Sequence, residues 1–319
     1  MKKVNIIIPC YNSEKTIEIV VEEIMAAIKL KYEMTVILIN DGSPDGVWGK
    51  IDRLCKKYSN VKGISLSKNY GQQNARMAAI PYITGDYVVF MDDDGQHNPR
   101  DIEKLIDRLD EGYDVVYASF QKKKETLFRR MGSRFNRWML EVFVGKPRNM
   151  QQNAFFATRR FVVEQLRNYN STTPILVGYF LQVTRNITDV PLEHQNRIEG
   201  RSNYNFVKLV RIWMDSFTGF SIKPLRLASL VGFFFSIFGF ILGAVVVVRK
   251  VINHDILAGY TSLAAILFLS LGLNMMMMGI LGEYIGRMCM VMNNIPQYVI
   301  RETRNLTEKS EDGELCTRK

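Results

Sequence analysis

Two long uncharged stretches near the carboxyl end set the tightest limit on how this chain can fold. Leu227 to Val248 runs 22 residues without a charged side chain, and Tyr260 to Gly282 runs 23. At a rise of about 1.5 Å per residue, each is long enough as a helix to cross a hydrocarbon layer of ~30 Å. Together they predict a transmembrane hairpin, with a pair of buried core helices as the alternative. A hairpin returns the chain to the side it left. Arg287, Arg301, Arg304, Lys309, Arg318 and Lys319 follow the second stretch, whereas only Arg249 and Lys250 stand at the start of the connection. The positive-inside rule therefore predicts cytoplasmic termini and a multi-pass protein of the cytoplasmic (inner) membrane.

The first part of the chain, to about residue 220, has ordinary soluble composition. Met1-Lys2-Lys3 is followed by a five-residue apolar run that stops at Pro9, too short for a secretory signal, so this part is expected in the cytoplasm. Cys10, Cys55, Cys289 and Cys316 show no metal-ligand spacing and are expected as thiols. The formal charge of +10 suits an anionic partner, and the apolar stretches make a lipid bilayer the first choice. No nucleic-acid-binding signature is present, so nucleic acid is not expected as a partner.

Strand-like and helix-like runs alternate along the first 120 residues. Val4–Ile8, Met34–Ile39, Val61–Leu66, Tyr87–Met91 and Val115–Ala118 read as strands. Ile17–Leu30, Val47–Tyr58, Gln72–Ile83 and Ile102–Leu109 read as helices, the last with Pro99 in its first turn. This spacing predicts βαβ units, hence an α/β domain with a mainly parallel sheet and helices on both faces. Ligands in such sheets collect at the carboxyl ends of the strands. Polar clusters fall at those ends: Pro9-Cys10-Tyr11-Asn12, Asn40-Asp41-Gly42-Ser43, Lys68-Asn69-Tyr70-Gly71 and Asp92-Asp93-Asp94. Neither a G-x-G-x-x-G dinucleotide fingerprint nor a G-x-x-x-x-G-K-[ST] loop accompanies them.

Three adjacent carboxylates repel one another and invite a cation. If the strand continues, Asp92 and Asp94 share one face, and two oxygen ligands suit Mg²⁺ or Mn²⁺, which complete their shells with water and phosphate. A calcium loop fails because His97 stands where its sixth-position glycine belongs. An Asp-rich turn capping the next helix is the simpler alternative.

The four clusters, ending in Asp92-Asp93-Asp94-Gly95-Gln96, resemble in order and spacing the family 2 glycosyltransferases of GT-A fold. The likeness is nearest to the polyprenyl-phosphate branch, which includes dolichyl-phosphate mannose synthases, bactoprenol glucosyltransferases and the aminoarabinose undecaprenyl-phosphate transferase. Arg197-Ile198-Glu199-Gly200-Arg201-Ser202-Asn203-Tyr204, Pro224-Leu225-Arg226 and Gly282 to Arg287 extend it over nearly the whole chain. The resemblance implies a nucleotide-sugar site of Pro9, Tyr11, Asn12, Glu14, Asp41, Lys68, Asp92 and Asp93, in which Pro9, Tyr11 and Asp41 meet the base. It implies metal at Asp92 and Asp94, and catalytic roles for Asp94 and Gln96. It places the lipid phosphate near Arg197, Arg201 and Ser202. Arg129, Arg130 and Arg134 are a second cationic region, suited to lipid phosphate or to anionic lipid heads.

Three positions depart from the branch pattern. Ser13 follows Asn12, with Glu14 one place later, Asn203 replaces a lysine near Arg201, and residues 149–153 carry no acid. The last departure is chemically tolerable, because a lipid phosphate is already ionised near neutral pH and needs no general base.

The expected organisation is a GT-A (Rossmann-like) domain at 1–204, an interfacial amphipathic helix at 205–223, the two-span hairpin at 224–286 and a cytoplasmic tail at 287–319. The interfacial helix rests on Phe206, Leu209, Val210, Trp213, Met214 and Phe217, which recur at helical spacing. The expected function is inverting, metal-dependent transfer of one sugar from a nucleotide sugar, UDP preferred, to a polyprenyl phosphate such as undecaprenyl phosphate, by a homo-oligomer. The alternatives are a processive polysaccharide synthase and a non-enzymatic membrane adaptor. Arg134-Phe135-Asn136-Arg137-Trp138 lacks the glutamine of the synthase's Q-x-x-R-W motif.

Overall fold

A computed structural model describes residues 1–28, 31–120, 141, 150–151, 153–169, 174–193, 260–293, 295–306, 308–309 and 315–316, with isolated positions between 230 and 252. The first elements are β1 (Lys3–Cys10), α1 (Ile17–Ile28), β2 (Glu33–Asn40), α2 (Val47–Lys57), β3 (Val61–Leu66), α3 (Gln72–Ala79), β4 (Tyr87–Phe90), α4 (Asp101–Asp110) and β5 (Val115–Phe120). They are followed by β6 (Phe156–Arg159), α5 (Arg160–Glu164), α6 (Leu176–Val183), β7 (Ile187–Leu192), α7 (Tyr260–Met292) and β8 (Ile300–Arg304).

The eight strands form one sheet in the order β7-β5-β6-β4-β1-β2-β3-β8. Its centre is parallel, with β1 paired to β2 and β4, and β2 to β3. The mainly parallel α/β sheet read from the alternation of strands and helices is therefore present. The sequence did not announce β6, which runs antiparallel between β4 and β5. Four residues, Phe-Ala-Thr-Arg, carry too little periodicity to stand out, and it is pairing on both sides that makes them a strand.

Side-chain alternation divides the core between the two faces of the sheet. Val4, Ile6, Ile8 and Cys10 of β1 join Val36 and Leu38 of β2 in a cluster with α1, α2 and α4, whose Ile24, Ile51 and Leu105 are buried there. On the opposite face Phe90, Tyr117 and Phe156 pack ring to ring, with Phe180 of α6 edge-on to Phe156.

Two boundaries differ from expectation. The helix read to Ile83 ends at Ala79 and tightens into a 3₁₀ turn over Ile80–Tyr82, because Pro81 lacks the amide the next turn requires. Pro99 stands before α4 rather than in its first turn. The amides of Arg100 and Asp101 bond to the side chain and carbonyl of Asn98, and the helix opens only at Asp101.

The chain divides into two compact units, residues 1–208 with 296–319, and residues 209–295. In the first, β8 pairs antiparallel with β3 and closes the sheet edge, so residues 300–304 are more than a tail. Arg304 meets Asp52 at 2.7 Å and lies 5.2 Å from the Trp48 ring. Asn305, at φ +57°, donates to the carbonyls of Cys55 and Val61. In the second unit, α7 is a continuous helix of 33 residues. Counting the described residues alone, no helix is long and apolar enough to cross a membrane, and several side chains of α7 lie outside them.

Candidate active site

Because β4, β1, β2 and β3 are mutually parallel neighbours, their carboxyl ends open on one edge of the sheet. All four polar clusters meet there. Pro9 is a buried strand residue paired with Ile39, at a level where β1 has outrun β4, so its missing amide costs β4 no ladder bond.

Asp41 follows β2 and is 2% exposed. Its carboxylate accepts the amides of Tyr70 at 2.7 Å and Gly71 at 2.9 Å, which fixes the loop after β3 beside the loop after β2. Gly42 adopts φ +58°, and a Cβ there would lie 2.2 Å from the Lys68 carbonyl carbon, so only glycine lets the two loops touch. Lys68 places its ammonium 5.1 Å from the Tyr70 ring.

Burial pushes Asp41 up to about 6, against the opposing pull of its two amide bonds. The folded protein thus binds the proton more tightly than an unfolded chain does. Stability is highest below about pH 4 on this account and falls as pH rises toward 6, by on the order of 2–3 kcal/mol. Denaturant unfolding across pH 4–7 is expected to show a steeper fall in wild type than in Asp41→Asn, which keeps the contribution of Asp93. Parallel profiles would contradict it.

Tyr11, 45% exposed, donates its amide to Asp93 at 3.1 Å. Asn12 sits at φ +57° and donates its amide to Ser43 Oγ at 2.8 Å. Ser43 Oγ in turn donates to Asp45, which also accepts the Glu14 amide. Glu14 itself is drawn to the Gly46 amide at 3.1 Å, at the start of α2, where a helix amino terminus favours a carboxylate.

The strand ends at Phe90, so the alternation expected to aim Asp92 and Asp94 at one point does not continue through the aspartates. Each carboxylate has its own donor. Asp92 accepts from Arg76 at 3.0 Å and from Gln72. Asp93 accepts the Tyr11 amide, and Asp94 accepts the Gln96 amide at 3.1 Å across Gly95, which is at φ +72°. Burial first, and the neighbouring Asp92 charge after it, push Asp93 up to about 6. His97 is buried, stacks on Phe155 at 4.8 Å and accepts the Asp92 amide on Nδ1.

Among the described residues no group of three or more His, Cys, Asp or Glu is arranged to hold a metal ion. Hard carboxylate oxygens in this number fit Mg²⁺ or Mn²⁺, which take one or two from the protein and the rest from water and substrate phosphates. Arg197, Arg201, Ser202, Arg129, Arg130 and Arg134 lie outside the described residues. The reading of the sequence missed Arg76, Gln72 and His97. Arg76 alone had a signal: it is a single charge inside the small and apolar run Ala75 to Ile80.

A family model described as Glycosyl transferase family 2 matches residues 5–181, the span that builds this edge. The chain belongs to that family. A second model, the GtrB C-terminal hairpin, matches residues 223–288. The undecaprenyl-phosphate 4-deoxy-4-formamido-L-arabinose transferase of Yersinia enterocolitica is 33% identical over 324 residues, covering 99% of this chain and 98% of the relative. The protein of the same name from Photorhabdus laumondii is 33% identical over 309 residues, covering 95% and 94%. Among solved structures, glucosyl-3-phosphoglycerate synthase from Mycobacterium tuberculosis in complex with Mn²⁺, UDP-glucose and phosphoglyceric acid superimposes with a TM-score of 0.53 at 18% identity. That match covers 68% of this chain and 79% of that one, and it assigns the GT-A fold to the family 2 domain. The protein is thus a glycosyltransferase.

Proposed function

We propose that this family 2 enzyme transfers one sugar from a nucleoside-diphosphate sugar, UDP preferred, to a polyprenyl phosphate at the cytoplasmic face of a membrane. The observation that carries the reading is the set of bonds made by Asp41, Asn12, Tyr11 and Asp93, which ties the four strand-end loops, that of Asp94 included, into one edge. End-to-end similarity to undecaprenyl-phosphate transferases supports the acceptor.

On this reading Tyr11 offers its exposed ring to the base, Asp41 sets the pocket wall, and Asp92 to Gln96 face ribose, diphosphate and sugar. Asp94 and Asp92 would hold Mg²⁺ or Mn²⁺, which would supply positive charge to offset that of the departing diphosphate. An acceptor phosphate oxygen forms the new bond to the anomeric carbon from the side opposite the diphosphate. The carbon–oxygen bond to the diphosphate breaks, and the configuration inverts. No acid stands at residues 149–153 to act as base, and an already ionised phosphate asks for none. The chain therefore contributes chiefly alignment. Arg197, Arg201 and Ser202 are proposed to hold the acceptor phosphate, since a guanidinium fork matches its oxygens.

The membrane part of the proposal has two supports. Apolar side chains of α7, among them Leu263, Ile266, Leu271, Met275, Met278, Ile285 and Met292, are exposed over the helix length, as suits lipid contact. Pairing of β8 with β3 holds the chain on either side of residues 209–295 in one folded unit, which supports an even number of crossings. An impermeant thiol reagent is expected to label a cysteine placed at Asp255 in intact cells. Labelling only after permeabilisation would contradict the topology.

Purified protein incubated with a panel of nucleotide sugars, undecaprenyl phosphate and Mn²⁺ is the decisive assay. Formation of a lipid-linked monosaccharide is expected. Polymer formation would favour a processive synthase, and absence of turnover with every donor would remove the reading. Light scattering of the detergent-solubilised protein tests the expected homo-oligomer.

A further inference from the structure

Arg76 lies on α3, inside the domain, with its side chain 2% exposed. A buried guanidinium keeps its charge and must find partners. Its Nη2 donates to Asp92 Oδ1 at 3.0 Å and to the Ala154 carbonyl at 3.1 Å. Its central carbon lies 5.6 Å from the Phe156 ring and 6.0 Å from the Phe90 ring, two rings stacked on each other at 4.6 Å. Its Nε has no hydrogen-bond partner, so the side chain is held by Nη2 and by the rings.

We infer that Arg76 is a positioning residue for the transfer reaction, fixing the Asp92 carboxylate on one side and the Ala154 backbone on the other. The inference rests on the proposed donor site. Asp92 stands in the loop after β4, which carries the residues proposed to face the diphosphate. Ala154 directly follows residues 149–153, which carry no acid, and precedes Phe155 and β6. One nitrogen thus sets the separation between the donor loop and the segment beside it. An ion pair serving stability alone could be replaced by apolar packing against Phe90 and Phe156 without loss. This one ends at the reactive edge, where displacement of a carboxylate by an ångström is costly to rate. Asp92 Oδ1 also accepts from Gln72 of the same helix, so α3 holds that one oxygen with two donors.

The test compares Arg76→Met, Arg76→Lys and wild type in full-length protein. Thermal unfolding, calorimetric binding of UDP in the presence of Mn²⁺, and transfer kinetics are the readouts. Arg76→Met fills the ring-lined space and is expected to stay folded, with UDP–Mn²⁺ binding weakened and kcat lowered by roughly ten- to a hundredfold each. Arg76→Lys, which keeps a donor, is expected to recover part of both. Wild-type binding and kcat in Arg76→Met would overturn the inference. So would losses that follow the melting temperature with no recovery by lysine. Should Arg76→Met not fold, the double variant Arg76→Gln/Asp92→Asn exchanges the ion pair for a neutral one, and wild-type kcat there would overturn it equally. Failure of the wild type to bind UDP with Mn²⁺ would instead remove the donor site on which the inference rests.

Discussion

Asp94→Asn is expected to lower sugar transfer by about a hundred- to a thousandfold, the usual loss when one preorganised electrostatic contact to a developing charge is removed. Among the three aspartates, Asp92 is held by Arg76 and Gln72 from α3, and Asp93 by the Tyr11 amide. Asp94 accepts the Gln96 amide within its own loop. Asp94 is the carboxylate that the proposed function assigns to the cation and the diphosphate together. Asparagine keeps the acceptor oxygen for the Gln96 amide, so the loop should hold its shape while one negative charge is lost. Steady-state kinetics under Mn²⁺ titration, with a melting curve alongside, measure the effect. Wild-type activity of Asp94→Asn in the presence of a chelator would exclude a metal role at this position.

Gly42→Ala is expected to destabilise the domain by roughly 2–5 kcal/mol, combining a left-handed backbone penalty with overpacking against main chain. The backbone is at φ +58°, and the added methyl would lie 2.2 Å from Lys68 C and 2.5 Å from Asn69 N. A flexible side chain could swing away from such a methyl, but a peptide unit cannot. The loop after β3 must retreat, and it carries the Tyr70 and Gly71 amides that bind Asp41. Loss of donor binding should accompany the loss of stability. Urea unfolding of the full chain gives the first quantity and UDP calorimetry the second. A stability within about 0.5 kcal/mol of wild type, the range of an ordinary surface change, would mean that the two loops do not meet as described.

The proposal that Arg76 positions Asp92 also bears on the reading of Asp92 as a metal ligand. Oδ1 of Asp92 already serves a buried cation, so charge on this side chain is shared between the fold and the site. Asp92→Asn would leave Arg76 buried without its counter-charge, a change that disturbs structure and chemistry together. Asp94 is the cleaner probe for that reason.

Local pattern was enough for the first five strands, the four helices between them and the strand-end location of all four polar clusters. Runs such as Ile6–Ile8 and Val36–Ile39 are apolar throughout because both faces of a parallel sheet are covered, and that signature is local. The GT-A resemblance was legible for a similar reason, since glycines, aspartates and asparagines at strand ends are dictated by turn geometry within a few residues. Tertiary structure decided what depended on distant partners. Four residues become β6 only between β4 and β5, and Ile300–Arg304 becomes an edge strand because β3 offers it a row of open hydrogen bonds from the far end of the chain, Ser65 pairing with Glu302. Asp92 is bound to Arg76, sixteen residues earlier on α3, and Asp93 to Tyr11 across the sheet. Glu14 turns to the start of α2 instead of following the motif it stands beside. A sequence pattern records what each segment buries or exposes, whereas the pairing of charges and amides across the sheet edge is set by which segments the fold brings within about 3 Å of each other.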